Sequence, residues 1–220
     1  MERVLEPELM EDQEQAEAYA KADFSDGNAA FVRRFMEEFP HVTSGNVVDL
    51  GCGPADIPIR LVRELPRLRV TAVDGSPAML ALARAALQQA GLSGRVSLHE
   101  GFIPDRRLAD HSYAAVLANS LTHHIPSGLE FWREVGRLGA SGAPVLVQDL
   151  FRPGSPDEAT AIVERVAPND PPVIKRDFFA SLCAAFTVAE VQADLAAAGL
   201  SGIRCEQVSE RHWAAWGRLA

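Results

Sequence analysis

Between Val47 and Gln148 the sequence changes its hydrophobic period repeatedly, and this alternation constrains the fold most. Short apolar runs at Val47-Val48-Asp49-Leu50, Arg69–Val73, Val96–His99, Tyr113–Ala118 and Pro144–Gln148 read as strands. Helical segments separate them, at about Pro54–Glu64, Pro77–Ala90 and Ser127–Arg137. Strand, helix, strand at this spacing demands a parallel sheet with crossover helices, because parallel neighbours cannot be joined by tight turns. Punctuation agrees with this reading. Ser76-Pro77 supplies an N-cap and a first-turn proline, and Gly91 stops the helix that they start.

Outside this core the pattern changes. Residues Pro7 to Phe39 read as two helices broken at Asp26-Gly27-Asn28, the second carrying a stripe of Phe31, Phe35 and Phe39. After Asp149 the alternation stops until Thr187, where Glu190 three residues on completes a capping box. Two strands, about Gly202–Val208 and His212–Gly217, close the chain. One domain over 1–220 is expected, with 1–45 as an N-terminal helical cap and 150–186 as an insertion covering the substrate.

The chemistry concentrates at strand ends. In an open parallel sheet, ligands bind at the carboxyl edge. Asp49-Leu50-Gly51-Cys52-Gly53 ends the first strand there, and Asp74 ends the second. The spacing is not that of a dinucleotide loop, since Asp56 takes the place of its last glycine. Asp49 and Asp56 suit a cationic ligand better than a diphosphate, which disfavours a nicotinamide oxidoreductase. A carboxylate at Asp74 is placed to accept hydrogen bonds from ribose hydroxyls.

Val47-Val48-Asp49-Leu50-Gly51-Cys52-Gly53-Pro54 and Val73-Asp74-Gly75-Ser76-Pro77-Ala78-Met79-Leu80 resemble the first two motifs of class I S-adenosylmethionine (SAM)-dependent methyltransferases of the small-molecule type. The resemblance covers about Asn46 to Asp149 well and the closing strands loosely. It implies a three-layer α/β sandwich around a seven-stranded, mostly parallel sheet. The implied order is 3-2-1-4-5-7-6 with strand 7 antiparallel, plus N-terminal helices and a helical lid after strand 5. It implies SAM as cofactor and S-adenosylhomocysteine (SAH) as product. Asp49, Gly51, Cys52 and Gly53 would hold the methionine part and Asp74 the ribose, with Gly75, Ser76 and Met79 alongside the adenosine. Ala55 replaces the family's third glycine, and Glu100-Gly101-Phe102 stands where an acid often meets the adenine, Phe102 being expected to stack on the base, flank it or pack in the core.

After the fourth strand, Asn119-Ser120-Leu121-Thr122-His123-His124 resembles the histidine-ending stretch of small-molecule methyltransferases. Asn119 and Ser120 are expected near the cofactor. His123 and His124 are the candidate bases, needed only for a protonated acceptor, and Tyr19 is a candidate lid residue. Structural packing is the favoured role for the histidines, ahead of direct proton transfer. Phe151, Arg152, Phe178 and Phe179 are the candidate substrate residues, suited to a small, partly apolar acceptor carrying an acidic group.

Thirty acids against 21 basic residues give a net charge of −9, which disfavours nucleic acid as a partner. Three cysteines without ligand spacing fit a reducing cytoplasm, and no metal is implied. The polar start is unlike a signal peptide and no run is long enough to span a bilayer, so a cytoplasmic protein is expected, monomer or homodimer. Two other readings stay open, a SAM-binding enzyme of cyclase type and a non-catalytic partner that kept the fold.

Overall fold

The computed structural model describes residues 1–6 and 24–220. The first of the two expected N-terminal helices, and Tyr19 with it, lie outside the described residues. The second helix, α1 (Ser25–Glu38), runs through Asp26-Gly27-Asn28. No break is needed there, because Gly27 has open space around it and the polar trio occupies the first turn. Phe31 and Phe35 are fully buried, as their four-residue spacing requires.

The core alternates as read. β1 (Ser44–Leu50), α2 (Asp56–Glu64), β2 (Arg67–Asp74), α3 (Pro77–Gln89), β3 (Val96–Glu100) and β4 (Ala115–Asn119) follow in order. They are succeeded by α4 (Gly128–Leu138) and β5 (Pro144–Leu150). The segment after β5 folds into α5 (Pro156–Val166) and α6 (Pro172–Ala184), then α7 (Val188–Ala197), β6 (Ile203–Gln207) and β7 (His212–Arg218). Serine side chains cap α3, α4 and α5 through Ser76, Ser127 and Ser155, each accepting an N–H of the first turn. Thr187 and Glu190 form the expected capping box on α7.

The sheet has the order β3-β2-β1-β4-β5-β7-β6. The first five strands pair in parallel, and β7 runs antiparallel to both β5 and β6. The central strands are buried on both faces, which explains their nearly continuous apolar runs. One face packs on α1, α2 and α3 through Phe31, Phe35, Leu61 and Leu80. The other packs on α4 and α7 through Trp132, Val135, Val191 and Leu195. A smaller cluster of Leu150, Ile162, Val163 and Leu182 ties the α5–α6 insertion to the end of β5. The order reverses between β1 and β4, which places the switch point beside the Gly51–Gly53 loop. Among the described residues, no single helix is long and apolar enough to cross a membrane.

Candidate active site

At that switch point lies a cavity of about 630 Å³. Gly51, Gly53, Asp74, Gly75, Ser76, Met79, Gly101, Phe102, Ser120 and His124 line it, together with Leu5, Glu6, Val73, Ile103, Leu121, Ile125 and Pro126. Most of the residues expected around a cofactor are therefore brought together. Asp49, Cys52 and Asn119 do not line it: Asp49 is buried near the end of β1, and the Cys52 side chain is buried in the core on the α1–α3 face.

Gly51 and Gly53 in the floor both take the left-handed backbone that favours glycine, and at Gly51 space demands it as well. Gly51 has φ of +71°, and a Cβ there would stand 2.8 Å from Leu121 Cδ1. Ala55, where the family places a third glycine, keeps the same left-handed conformation at φ +67°. Such a backbone costs an L-residue about 1–2 kcal/mol. Asp56 does not face the cavity. Its carboxylate, in the first turn of α2, takes hydrogen bonds from the Asn28 and Arg60 side chains at 2.9 and 2.8 Å.

Asp49 and Asp74 set the electrostatics. Asp49 is 2% exposed, and its Oδ2 has no hydrogen-bond partner. Burial, with the nearby Asp74 charge adding, pushes its pKa up to about 8. A buried acid left with an orphaned oxygen is a site built for an incoming donor. Asp74 accepts the Gly53 N–H at 2.8 Å and the Ser76 N–H at 2.9 Å. Burial raises its pKa, and these two bonds oppose the rise. Phe102 is 59% exposed, so it is not a core residue, and its ring lies so close over Gly75 that a Cβ there would meet it at 2.7 Å. Met79 is buried and faces the same cavity from the first turn of α3.

The two histidines sit in a short 3₁₀ turn after β4 and differ in role. His123 is buried, with Nδ1 2.6 Å from Asp149 Oδ1. Asp149 also accepts the Thr122 hydroxyl at 2.6 Å and the His123 and Leu150 amides. Burial lowers the His123 pKa, but the charge and hydrogen bond of Asp149 outweigh it, so the net direction is upward. His124 lines the cavity instead. Burial and the adjacent His123 charge lower its pKa to about 3, so it is neutral near pH 7. The rings lie 4.1 Å apart between centroids, and ligand-type atoms of Glu6, His123 and His124 fall within 4.8 Å of one another.

The expected substrate residues are not brought to this cavity. Arg152 is 7% exposed, and its guanidinium is committed to the Ala185 carbonyl and to Glu190 at 2.6 Å. It ties the end of the insertion to α7. Phe178 and Phe179 pack into the insertion's own cluster, and Phe151 packs against the core on the α4–α7 face. Asn119 points along the sheet edge, donating to Ser120 Oγ and accepting from Gln148.

Two features escaped sequence reasoning. The first is Asp149, an acid ending an otherwise apolar strand just as Asp49 nearly ends β1, a pattern visible in the sequence. The second is the segment 1–6, which has no periodicity to announce it. Arg3 fastens it, donating to the carbonyls of Ala184, Pro126, His123 and Ile125 and stacking 3.8 Å above the Phe186 ring. Val4 N–H donates to the Cys183 carbonyl, and Leu5 and Glu6 reach the cavity wall.

This sheet order, with a glycine-floored cavity at the switch point and acids at the ends of β1 and β2, is the fold of the class I SAM-dependent methyltransferases. Residues 47–142 match the family model described as "Methyltransferase domain". A trans-aconitate 2-methyltransferase from Variovorax paradoxus is 30% identical over 67% of this chain and 58% of its own length. A second, from Azoarcus sp., is 41% identical over 30% of the chain and 26% of its own length, so the chain spans less than two thirds of either. A SAM-dependent methyltransferase structure from Methanococcus maripaludis superposes with a TM-score of 0.72 at 19% identity, covering 99% of this chain and 98% of that one. Phosphoethanolamine N-methyltransferase 2 of Haemonchus contortus, solved with SAM, superposes with a TM-score of 0.73 at 14% identity, covering 94% of this chain and 57% of that one.

Proposed function

We propose that the protein transfers a methyl group from SAM to a small-molecule acceptor held between the cofactor loop and the N-terminal segment. The observation that carries this reading is the buried, unpaired Asp49 Oδ2 at the end of β1, next in sequence to the glycine loop and near Asp74, which lines the cavity. Asp49 would answer the positive charge of the methionine part, and the Gly51–Gly53 backbone would accommodate its close approach. Asp74 would take the ribose hydroxyls, with Met79 and Phe102 on either side of the base. SAM, when bound, supplies an electrophilic methyl group and leaves as SAH. The protein's part is then to hold an acceptor in line with that methyl and to exclude water, and orientation alone supplies on the order of several kcal/mol. Neutral His124 offers a nitrogen lone pair to an acceptor N–H or O–H. His123, fixed by Asp149, holds the 3₁₀ turn that presents it.

The acceptor of the two curated relatives above is, by their names, trans-aconitate. Among the described residues, no lysine or arginine lines the cavity to receive such a polyacid. The expectation of an acidic acceptor rested on Arg152, Lys175 and Arg176, which pair instead with Glu190, Glu164 and Asp177.

Calorimetric titration of SAH tests the donor half. The wild-type chain should bind, and Asp74→Ala and Gly51→Val should each lose binding while keeping a cooperative melt. Equal affinity in all three would sink the reading. Mass analysis of the product, gaining one methyl or none, separates transfer from cyclase-type chemistry.

A further inference from the structure

β6 ends the sheet, so one side of its backbone faces away from β7. The register sets Ile203 opposite Gly217 and Gln207 opposite Trp213. Continued by one residue each way, it brings Gly202 opposite Arg218 and Val208 opposite His212. Both of these pairs are hydrogen-bonded, the Arg218 amide to the Gly202 carbonyl at 3.2 Å and the Val208 amide to the His212 carbonyl at 2.9 Å. Bonded and non-bonded pairs alternate along an antiparallel ladder. The even-numbered residues of β6 therefore bond to β7, and Ile203, Cys205 and Gln207 turn their amides and carbonyls outward. Leu200 takes the Ile203 amide, and Gln192 Nε2 donates to the Cys205 carbonyl at 3.0 Å. The outward amides of Cys205 and Gln207 are left as a template for another strand.

The side chains of this edge are patterned for one partner. The Arg204 side chain is 60% exposed and stacks 4.3 Å from the Trp216 ring centroid. Its one ion-pair contact among the described residues is Glu38, at 3.7 Å. Glu206 is exposed and has no ion-pair partner among the described residues. An edge guarded against pairing carries like charges, proline or a bulge, whereas β6 carries one charge of each sign, no proline and an unbroken register. Two copies of Ile203–Gln207 set antiparallel about a two-fold axis through Cys205 bring their outward-facing residues opposite one another, as ladder bonds require. The same axis places Arg204 of each copy directly across from Glu206 of the other. An axis through Arg204 or through Glu206 would oppose like charges instead. On the far face of the sheet, Ala189, Gln192 and Ala196 share an exposed face of α7 beside this edge, and the two alanines leave room for a second copy to approach. We propose that β6 is the seam of a homodimer, in which one sheet runs through both copies and the Arg204–Glu206 pair, made twice, fixes the register. The Cys205 carbonyl has a second lone pair, so it keeps Gln192 and also accepts the Cys205 amide of the other copy. The cofactor cavity lies beside β1 and β4, with β5 and β7 between it and the seam, so it stays open in the dimer.

Sedimentation equilibrium of the full chain between about 2 and 200 µM should show a reversible monomer–dimer mixture whose dimer share rises with concentration. Hydrogen exchange at the Cys205 and Gln207 amides should slow over the same range. Arg204→Glu and Glu206→Arg each turn two attractions into two repulsions, and each should weaken dimerisation at least about tenfold. The double variant Arg204→Glu/Glu206→Arg, and an equimolar mixture of the two single variants, should recover it to within about threefold. Each variant is checked for an unchanged melt and for SAH binding equal to that of the wild type. Should Arg204→Glu lose its melt, Glu206→Arg and the exchange measurement decide alone. The proposal is overturned by a wild-type chain that stays monomeric, by exchange at those two amides that ignores concentration, by single variants that dimerise like the wild type, or by a charge swap that restores nothing.

Discussion

Asp49 is where stability and function oppose each other. Its carboxyl is buried and its pKa stands at about 8, against an ordinary value of 3.8. A raised acid pKa means that the folded state holds a proton that the unfolded state has released. The ligand-free protein should therefore lose stability progressively as pH climbs from about 4 to 8. Asp49→Asn removes that loss. It should raise the melting temperature of the ligand-free protein at pH 8, by the equivalent of about 1–3 kcal/mol, and leave it nearly unchanged at pH 4. The same variant should bind SAH at least about tenfold more weakly, because the amide cannot answer an ammonium. Melts across pH paired with calorimetry check both halves. A variant that is less stable at pH 8 contradicts the assignment of Asp49 as a group awaiting a ligand. Asp49 stands out in the sequence because an acid in an apolar strand, two residues before a Gly-x-Gly turn, needs a reason. Arg152 and the phenylalanines misled because composition cannot say which way a side chain turns. Arg152 had a partner in Glu190, 38 residues away.

At the scale of elements, the parallel core was readable and the site's outer wall was not. Strand and helix periods, the caps at Ser76, Ser127 and Thr187, and the glycine turns all encode locally. The closure by residues 1–6 is encoded chiefly by Arg3, which reaches five distant carbonyls, with Val4 adding a backbone bond to Cys183, and this leaves no periodic trace. Arg3→Ala should therefore change the wall and spare the floor. Each of several charge-assisted bonds is worth about 1.5–3 kcal/mol gross, so the segment should detach and the acceptor KM should rise by about tenfold or more, with SAH affinity within about twofold. Hydrogen exchange should quicken at Val4 and around Thr122–Ile125. Unchanged exchange there would mean that the segment is held by something else. The 3₁₀ turn has its own anchor in Asp149. Asp149→Ala strands a buried His123 and should cost about 3–5 kcal/mol by chemical denaturation. The sign with pH follows from the two shifts. The His123 pKa is raised, so its share is fully present below about 6.5 and is lost as pH rises through the folded value. The Asp149 pKa is depressed to about 2, so its share persists above its ordinary 3.8 and fades only on strong acidification. The excess stability of wild type over Asp149→Ala should thus be greatest in mildly acidic solution and shrink toward alkaline pH.

For the whole molecule, these local oppositions give the ligand-free and ligand-bound proteins different pH profiles. A ligand that binds only the folded state adds RT ln(1 + [L]/Kd), about 2.7 kcal/mol at a hundredfold excess over Kd. For a chain of this size, 220 residues, each kcal/mol moves the midpoint by about 2–4 °C, so saturating SAH should raise it by about 5–10 °C. An ammonium beside Asp49 also favours the ionised carboxylate, so binding must release the proton that the acid holds below pH 8. The SAH-induced shift should therefore grow as pH rises from 6 toward 8, while the ligand-free midpoint falls over the same range. Asp49→Asn should show a small shift with no such slope, and Asp74→Ala should show no shift at any pH. Thermal melts with and without SAH at three pH values decide it. A shift that is flat with pH in the wild type would mean that Asp49 carries no proton to release, and the electrostatic account of the donor site would have to be rebuilt around Asp74 alone.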